Sequence, residues 1–207
     1  MKRALMVVLM VGLVQVGFSA RAADALKVDD EGFIRNWVVL GPINTPFDLH
    51  RQDQGTLGHY FDKEQFEGQF KAAPKDGEKV KVGDKEMAFS ELNADGAVFK
   101  FPEPPTSMNI AVTYVVAKED IADVKLAIGS DDSSCWRLNG QEVIRLYKNG
   151  GVERDQNKSQ AVTLKKGVNV LMGVVINGVG ATCACARFLD KEDKPVKNVT
   201  IQLAPAQ

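Results

Sequence analysis

The sequence predicts an all-β chain folded as a two-sheet antiparallel β-sandwich, and three observations carry that prediction. First, apolar residues alternate with polar or small ones at a period of two, as in Ile110, Val112, Tyr114 and Val116 and again in Val124, Leu126 and Ile128, so each run has one core face. Second, such runs return at roughly eight- to twelve-residue intervals between Gly, Pro and Asn, with no convincing helical stretch among them. Third, Asn139-Gly140 separates two such runs. A type I′ hairpin turn needs φ > 0 at both central positions, which Asn and Gly tolerate best.

The elements follow in chain order. Lys2 and Arg3 precede an apolar run from Ala4 to Phe18, and Ala20-Arg21-Ala22 supplies a small-x-small cleavage triplet. Residues 1–22 are therefore read as a signal peptide, and 23–207, starting at Ala23, as a single β-sandwich domain in the periplasm or secreted. The apolar run is short for a membrane span and soon followed by charge, which leaves an uncleaved signal anchor as the second reading. Phe33 to Leu40 reads as a buried first strand stopped by Gly41-Pro42, with no partner close in sequence. Ile43 to Tyr60 is polar and turn-rich, a long surface excursion. Asp62 to Phe70 reads as one or two helical turns capped by Asp62 and weakened by Gly68. Ala72 to Asn93 suggests edge strands around Val80, Val82, Met87 and Phe89.

From Ala97 the pattern sharpens. Val98 to Phe101 ends at Pro102-Glu103-Pro104-Pro105. The two alternating runs come next, and then the polar entry Ser130-Asp131-Asp132-Ser133. With Leu138 opposite Gln141 across the Asn-Gly turn, Arg137 faces Glu142, Trp136 faces Val143 and Cys135 faces Ile144; opposite-charge and aromatic/β-branched rungs are both favourable. Lys148 to Lys158 is a polar loop. Ala161 to Leu164 and the almost wholly apolar Val168 to Ile176 flank Lys165-Lys166-Gly167, a three-residue hairpin loop. Asn177-Gly178-Val179-Gly180 turns the chain, Thr182 to Leu189 returns, and Val199, Ile201 and Leu203 close the series.

Removal of residues 1–22 takes three basic and no acidic side chains, leaving 23 basic against 27 acidic, a net charge of −4. That mild acidity argues against a nucleic-acid partner, which would want a clustered basic face. The three cysteines are Cys135, Cys183 and Cys185. Cys183 and Cys185 share one strand face and are badly placed to bridge each other. Two readings stand level: a disulfide from Cys135 to Cys183 or Cys185, or three small buried hydrophobes. No recognised zinc spacing appears, and only His50 and His59 could add nitrogen. The two histidines bracket Asp53 in a stretch read as solvated loop.

Gly129-Ser130-Asp131-Asp132 followed by Trp136-x-Leu138-Asn139-Gly140 resembles the "GSDDG…vWlNG" signature of galactose-binding-domain-like jelly rolls in exported bacterial proteins. Trp37-x-x-Leu40-Gly41-Pro42 is similar to the strand that opens such modules. Asp155-Gln156-Asn157 with Leu164-Lys165-Lys166-Gly167-Val168-Asn169-Val170-Leu171 is similar to their "DqD…vtLkkGwNtLL" segment. A sister resemblance is the protective-antigen-type sugar-binding domain. The resemblance implies a jelly-roll sandwich with a carbohydrate site in its end loops. Ser133 departs from the usual glycine, and Gly178 to Arg187, GVGATCACAR, lacks the aromatic pair of "GGGGWGFyLR". Sugars are commonly gripped by an aromatic face together with a few convergent hydrogen bonds.

The candidate ligand-binding residues are Asp131, Asp132, Trp136, Arg137, Arg154, Asp155 and Gln156. Asp131-Asp132 reads first as a turn whose carboxylates cap backbone N–H groups, and only second as calcium ligands, since calcium usually takes more acidic oxygens than this loop shows. Trp136 reads as core before stacking platform, and Arg137 as a cross-strand partner of Glu142. Arg154-Asp155-Gln156 fits sugar hydroxyls or a pinned connection equally. No G-x-S-x-G, H-E-x-x-H, Walker or dinucleotide motif is present, so no catalytic residue or cofactor is assigned. The expectation is an exported, non-catalytic module binding carbohydrate or another envelope ligand. Its rival is a structural or protein-interaction module of the cell envelope.

Overall fold

The computed structural model describes residues 26–45, 53–102 and 107–205. The expected leader, its cleavage site, His50 and the Glu103-Pro104-Pro105 turn lie outside them. The strands are β1 (Asn36–Asn44), β2 (Lys79–Val82), β3 (Lys85–Ala88), β4 (Ser90–Asn93), β5 (Phe99–Lys100), β6 (Ser107–Ala117), β7 (Ile121–Asp131) and β8 (Ser133–Leu138). They continue with β9 (Gln141–Leu146), β10 (Asn157–Lys158), β11 (Val162–Leu164), β12 (Gly167–Asn177), β13 (Cys183–Leu189) and β14 (Val199–Gln202). Helix α1 spans Gln54–Asp62.

The chain is an all-β sandwich. A seven-stranded sheet runs β4-β1-β6-β12-β8-β9 with β14 also on β6, and a five-stranded sheet runs β10-β7-β13-β5 with β11 also on β7. Their facing sides share one core of Trp37, Phe99, Val115, Leu126, Ile128, Trp136, Leu171, Ala186 and Phe188. The large sheet is buried on its outer side too, where α1 (Leu57, Phe61), Phe66 and Phe89 cover Val112, Tyr114, Cys135, Met172 and Val174. Burial on both faces is why the β12 sequence is an apolar run instead of an alternating one. Tyr114 fixes this cover by donating from its hydroxyl to the Pro74 carbonyl at 2.5 Å.

Several local expectations shift. The first strand continues through Gly41-Pro42 to Asn44, with a register break against β6 between Leu40 and Ile43. The helix lies earlier than the sequence suggests: Asp53 caps it, accepting from the amides of Gly55 and Thr56, and Asp62 ends it, followed by a 3-10 turn at Gln69–Lys71. The Asn139-Gly140 turn forms as expected, with φ of 51° and 80°. Leu138 faces Gln141 and Arg137 faces Glu142, but beyond them the register shifts, so that Trp136 faces Ile144 and Cys135 faces Arg145. The bulge takes up Val143. It turns Ile144 into the inter-sheet core beside Trp136 and leaves Arg145 on the α1 side, because a one-residue slip moves a side chain to the other face.

Of the two level readings of the cysteines, the structure carries the buried-hydrophobe one and not the bridge: Cys135, Cys183 and Cys185 are all free and buried. Cys135 packs on the outer side of the large sheet and Cys185, with Phe33, on the outer side of the small one, so the whole sandwich separates them. Burial pushes the Cys135 thiol up to about 12 and the Cys185 thiol up to about 11, which makes both poor nucleophiles at neutral pH. Thiol titration in denaturant should therefore count three free thiols, reaction of the folded protein should be slow, and a reductant should leave the thermal midpoint unmoved. A midpoint that falls on reduction would restore the bridge.

Candidate functional site

The site is built at the end of the sandwich where β7 passes into β8. Gly129 lets a loop cross there: a Cβ at this position would lie 1.8 Å from the Glu153 carbonyl oxygen, so alanine has no room. Ser130 donates from its hydroxyl to the Asp132 carbonyl at 2.7 Å and meets the Ser134 hydroxyl at 2.8 Å; Ser134 in turn accepts from the Trp136 indole N–H at 3.0 Å. This buried chain fixes the backbone of the acid pair to the core.

Asp132 is 3% exposed, and its side chain reaches into two other loops. Oδ1 accepts from the Gly150 amide at 2.6 Å and Oδ2 from the Gly178 amide at 3.2 Å. The turn-capping role expected for this carboxylate is thus performed on segments 18 and 46 residues away instead of within its own loop. Ser133 reinforces the first contact, since its hydroxyl accepts from the Lys148 amide at 3.0 Å and donates to the Lys148 carbonyl at 2.9 Å. The Lys148 ammonium closes its own loop onto the Gly151 carbonyl. On the other side, the Asn177 amide group donates to the Gly180 carbonyl and the Thr182 hydroxyl, while its buried Oδ1 has no partner.

Asp131 is the member of the pair left half-buried at this end. Burial first, and then the hydrogen bond and negative charge of Asp132, raise its carboxyl to about 6, with Lys148 pulling the other way. Its strand neighbour across the small sheet is Cys183. Among the described residues no three of His, Cys, Asp and Glu gather closely enough to hold a metal ion.

The remaining candidates are spread over the fold. Gln156 stays near the acid pair, accepting from the Ser130 amide at 3.4 Å. Asp155 forms a two-pronged ion pair with Arg187, and Arg154 binds both carboxylate oxygens of Glu31 at 3.0 and 2.9 Å. Both guanidinium groups lie against the Phe33 ring, at 5.4 Å for Arg154 and 4.5 Å for Arg187. Arg154 and Asp155 therefore pin the segment before β1 to the small sheet. Trp136 is wholly buried, edge-on to Trp37 with ring centroids 5.9 Å apart, and has no open face for stacking. Arg137 points to the opposite side of the large sheet, donating to the Phe61 carbonyl at 3.0 Å and lying 4.1 Å over the Phe70 ring. Both are corrections to the candidate site, with burial the reason in each case. Lys148, Gly150, Asn177 and Gly178 join the site in their place; sequence reading registered them only as loop and turn residues.

A separate cavity of about 280 Å³ lies on the outer side of the large sheet between Phe70, Lys71, Gly140, Val170 and Met172. It sits by the Asn-Gly turn, at the other end of β8 from the acid pair. Asn139, its main polar neighbour, is already committed: its carboxamide bonds Asn169 and the Val170 amide. No helix among the described residues is long and apolar enough to cross a membrane.

No protein-family model matches the chain, and no curated protein matches it significantly. Among solved structures it is similar to the β-glucosidase of Kluyveromyces marxianus, at 19% identity and a TM-score of 0.38 over 61% of this chain and 16% of that one. It is also similar to the PA14 sugar-binding domain of an RTX adhesin, at 13% identity and a TM-score of 0.38 over 84% of this chain and 78% of that one. The PA14 domain of the antifreeze protein MpAFP matches at 13% identity and a TM-score of 0.39, over 87% of this chain and 96% of that one.

Proposed function

We propose that this chain is an exported, non-catalytic binding module that holds a carbohydrate, or a similarly hydroxyl-rich envelope ligand, at the loop end of the sandwich. The observation that carries the reading is the gathering, around one buried carboxylate, of two loops distant in sequence, with the neighbouring Asp131 half-buried beside them. Convergent polar groups on a rigid frame are what fix a sugar's hydroxyls. Asp131 accepts from the ligand, Lys148 donates to it, and Asn177, whose buried Oδ1 is unpartnered, backs the site. The reading takes no cofactor, no nucleic acid and no membrane span.

The rival reading, a structural or protein-interaction module of the envelope, is favoured by one observation. The large exposed hydrophobic of these loops is Val179, 61% exposed, and among the described residues no exposed aromatic ring stands there to stack on a sugar. A glycan array with the intact chain, run once with calcium and once with a chelator, separates the two. The proposal expects binding to a subset of glycans, equal in both buffers, and reduced about tenfold or more by Asp131→Ala, the ~1.4 kcal/mol scale of one charged hydrogen bond. Binding to no glycan in either buffer would leave the rival, and binding in calcium alone would overturn the cofactor-free form.

A further inference from the structure

The cavity beside the Asn139-Gly140 turn belongs to no part of the site at the acid pair, and its walls are held as firmly. The segment from Gly68 to Ala72 forms one wall. Glu64 accepts from the Gly68 and Phe70 amides at 3.2 and 3.1 Å, and the Lys71 and Ala72 amides donate to the Gly68 and Gln69 carbonyls, each at 3.0 Å. Arg137 lies 4.1 Å over the Phe70 ring while its guanidinium is bonded to the Phe61 carbonyl and paired with Glu142, so the ring is pinned. Gly140 brings the turn up to this wall: its φ is 80°, and a Cβ there would lie 2.8 Å from the Phe70 carbonyl oxygen. Val170 and Met172 of β12 line the other side, and Val168, on the same strand face, is 36% exposed.

The lining selects a chemistry. Phe70, Ala72, Val170 and Met172 offer apolar surface, and the Asn139 carboxamide is spent on Asn169 and the Val170 amide. Lys71 is exposed, and among the described residues its ammonium has no hydrogen-bond or ion-pair partner. The Glu64 carboxylate, engaged by two amides, leaves that cation unmatched. A cavity of about 150 Å³ takes one benzene, so the 280 Å³ here has space for a ring and a short polar tail. We propose that this cavity binds a small aryl carboxylate, its ring against Phe70 and its carboxylate on Lys71. A flat guest gains an aromatic contact with a ring already held in place, and the carboxylate supplies the charge Lys71 lacks. The inference does not rest on the carbohydrate reading, since the two sites lie at opposite ends of β8.

Titration of the isotope-labelled intact chain with phenylacetate, phenylacetamide and octanoate, followed by backbone amide shifts, tests it. Phenylacetate should give saturable shifts at Phe70 to Ala72, Gly140 and Val170, with Gly150 and Gly178 unmoved. Phenylacetamide, the neutral twin, should bind about fivefold more weakly, the scale of one exposed ion pair. Lys71→Met should weaken phenylacetate by the same factor and leave phenylacetamide unchanged, and Lys71→Arg should retain the acid's affinity. Ala72→Leu, which places a larger side chain on the lining, should abolish binding of both while amide signals elsewhere keep their positions. No saturable shift at these residues by about 20 mM phenylacetate overturns the site. Equal affinity for acid and amide, or for wild type and Lys71→Met, overturns the carboxylate assignment, and octanoate binding more tightly than phenylacetate overturns the aryl one. Undiminished binding in Ala72→Leu places the ligand elsewhere and overturns the proposal.

Discussion

Asp132→Ala should lower the thermal midpoint by about 6–12 °C at pH 7, a loss of about 3 kcal/mol in a chain of this size. The mutation removes no packing of consequence. Its cost comes from the amides of Gly150 and Gly178, which Asp132 receives at 2.6 and 3.2 Å and which would lose their acceptor together. A buried donor stripped of its partner costs ~1–3 kcal/mol. Asp132→Asn has one carbonyl oxygen where the carboxylate has two, so it can serve one amide and should lose about half as much. Denaturant melts of the three proteins check this. Equal, negligible losses would mean that water satisfies both loops and that the clamp holds nothing.

Gly173→Ala should cost about 3 kcal/mol, the upper end for overpacking a core. Gly173 lies in the middle of β12 opposite Trp136, and a Cβ there would lie 2.5 to 2.7 Å from three atoms of the indole ring. The ring cannot swing away, since it is wholly buried, packed edge-on against Trp37, and tied through its N–H to Ser134. The Ser134 tie runs on to Ser130 and the carbonyl of Asp132, so the same substitution should disturb the loop end from the centre of the sheet. Trp136→Leu makes the room that alanine needs. The pair should therefore be non-additive, with Gly173→Ala costing at least ~1 kcal/mol less in the Trp136→Leu background. Additive losses would place the clash elsewhere.

What the sequence made legible was local. The Asn139-Gly140 turn, the inward-facing Val124, Leu126 and Ile128 of β7, and the Arg137–Glu142 rung are fixed by residues a few positions apart, and each stands in the structure, the last as an ion pair at 3.6 Å. The single core face expected of β6 does not: every residue of that strand but Val116 is buried, with Ile110, Val112 and Tyr114 on the outer side and Ala111 and Val115 between the sheets. The bulge at Val143 was not legible, because its cause is tertiary: Ile144 is drawn into the inter-sheet core while Arg145 reaches across to Asp62 of α1 at 2.5 Å. The helix was misplaced for a related reason. Gly55 and Gly58 argue against a helix on propensity, yet Gly58 packs so close to Tyr147 that a Cβ would lie 3.0 Å from its hydroxyl, and Leu57 and Phe61 repay the segment by covering the large sheet. At the site, the Asp131-Asp132 pair was visible as chemistry without its purpose. The partners that occupy Arg154 and Asp155 are Glu31 and Arg187, 123 and 32 residues away, and no local pattern points to either.

On the proposed function, ligand meets the chain where Asp131, Gly150 and Gly178 converge. Titrating isotope-labelled protein with the glycan that binds best on the array, and following backbone amide shifts, tests it most directly. The largest shifts should fall at Asp131, Gly150 and Gly178, with Phe70 to Ala72 and the Asn139-Gly140 turn unmoved. Shifts concentrated at that turn and its neighbouring cavity, with the acid pair silent, would contradict it.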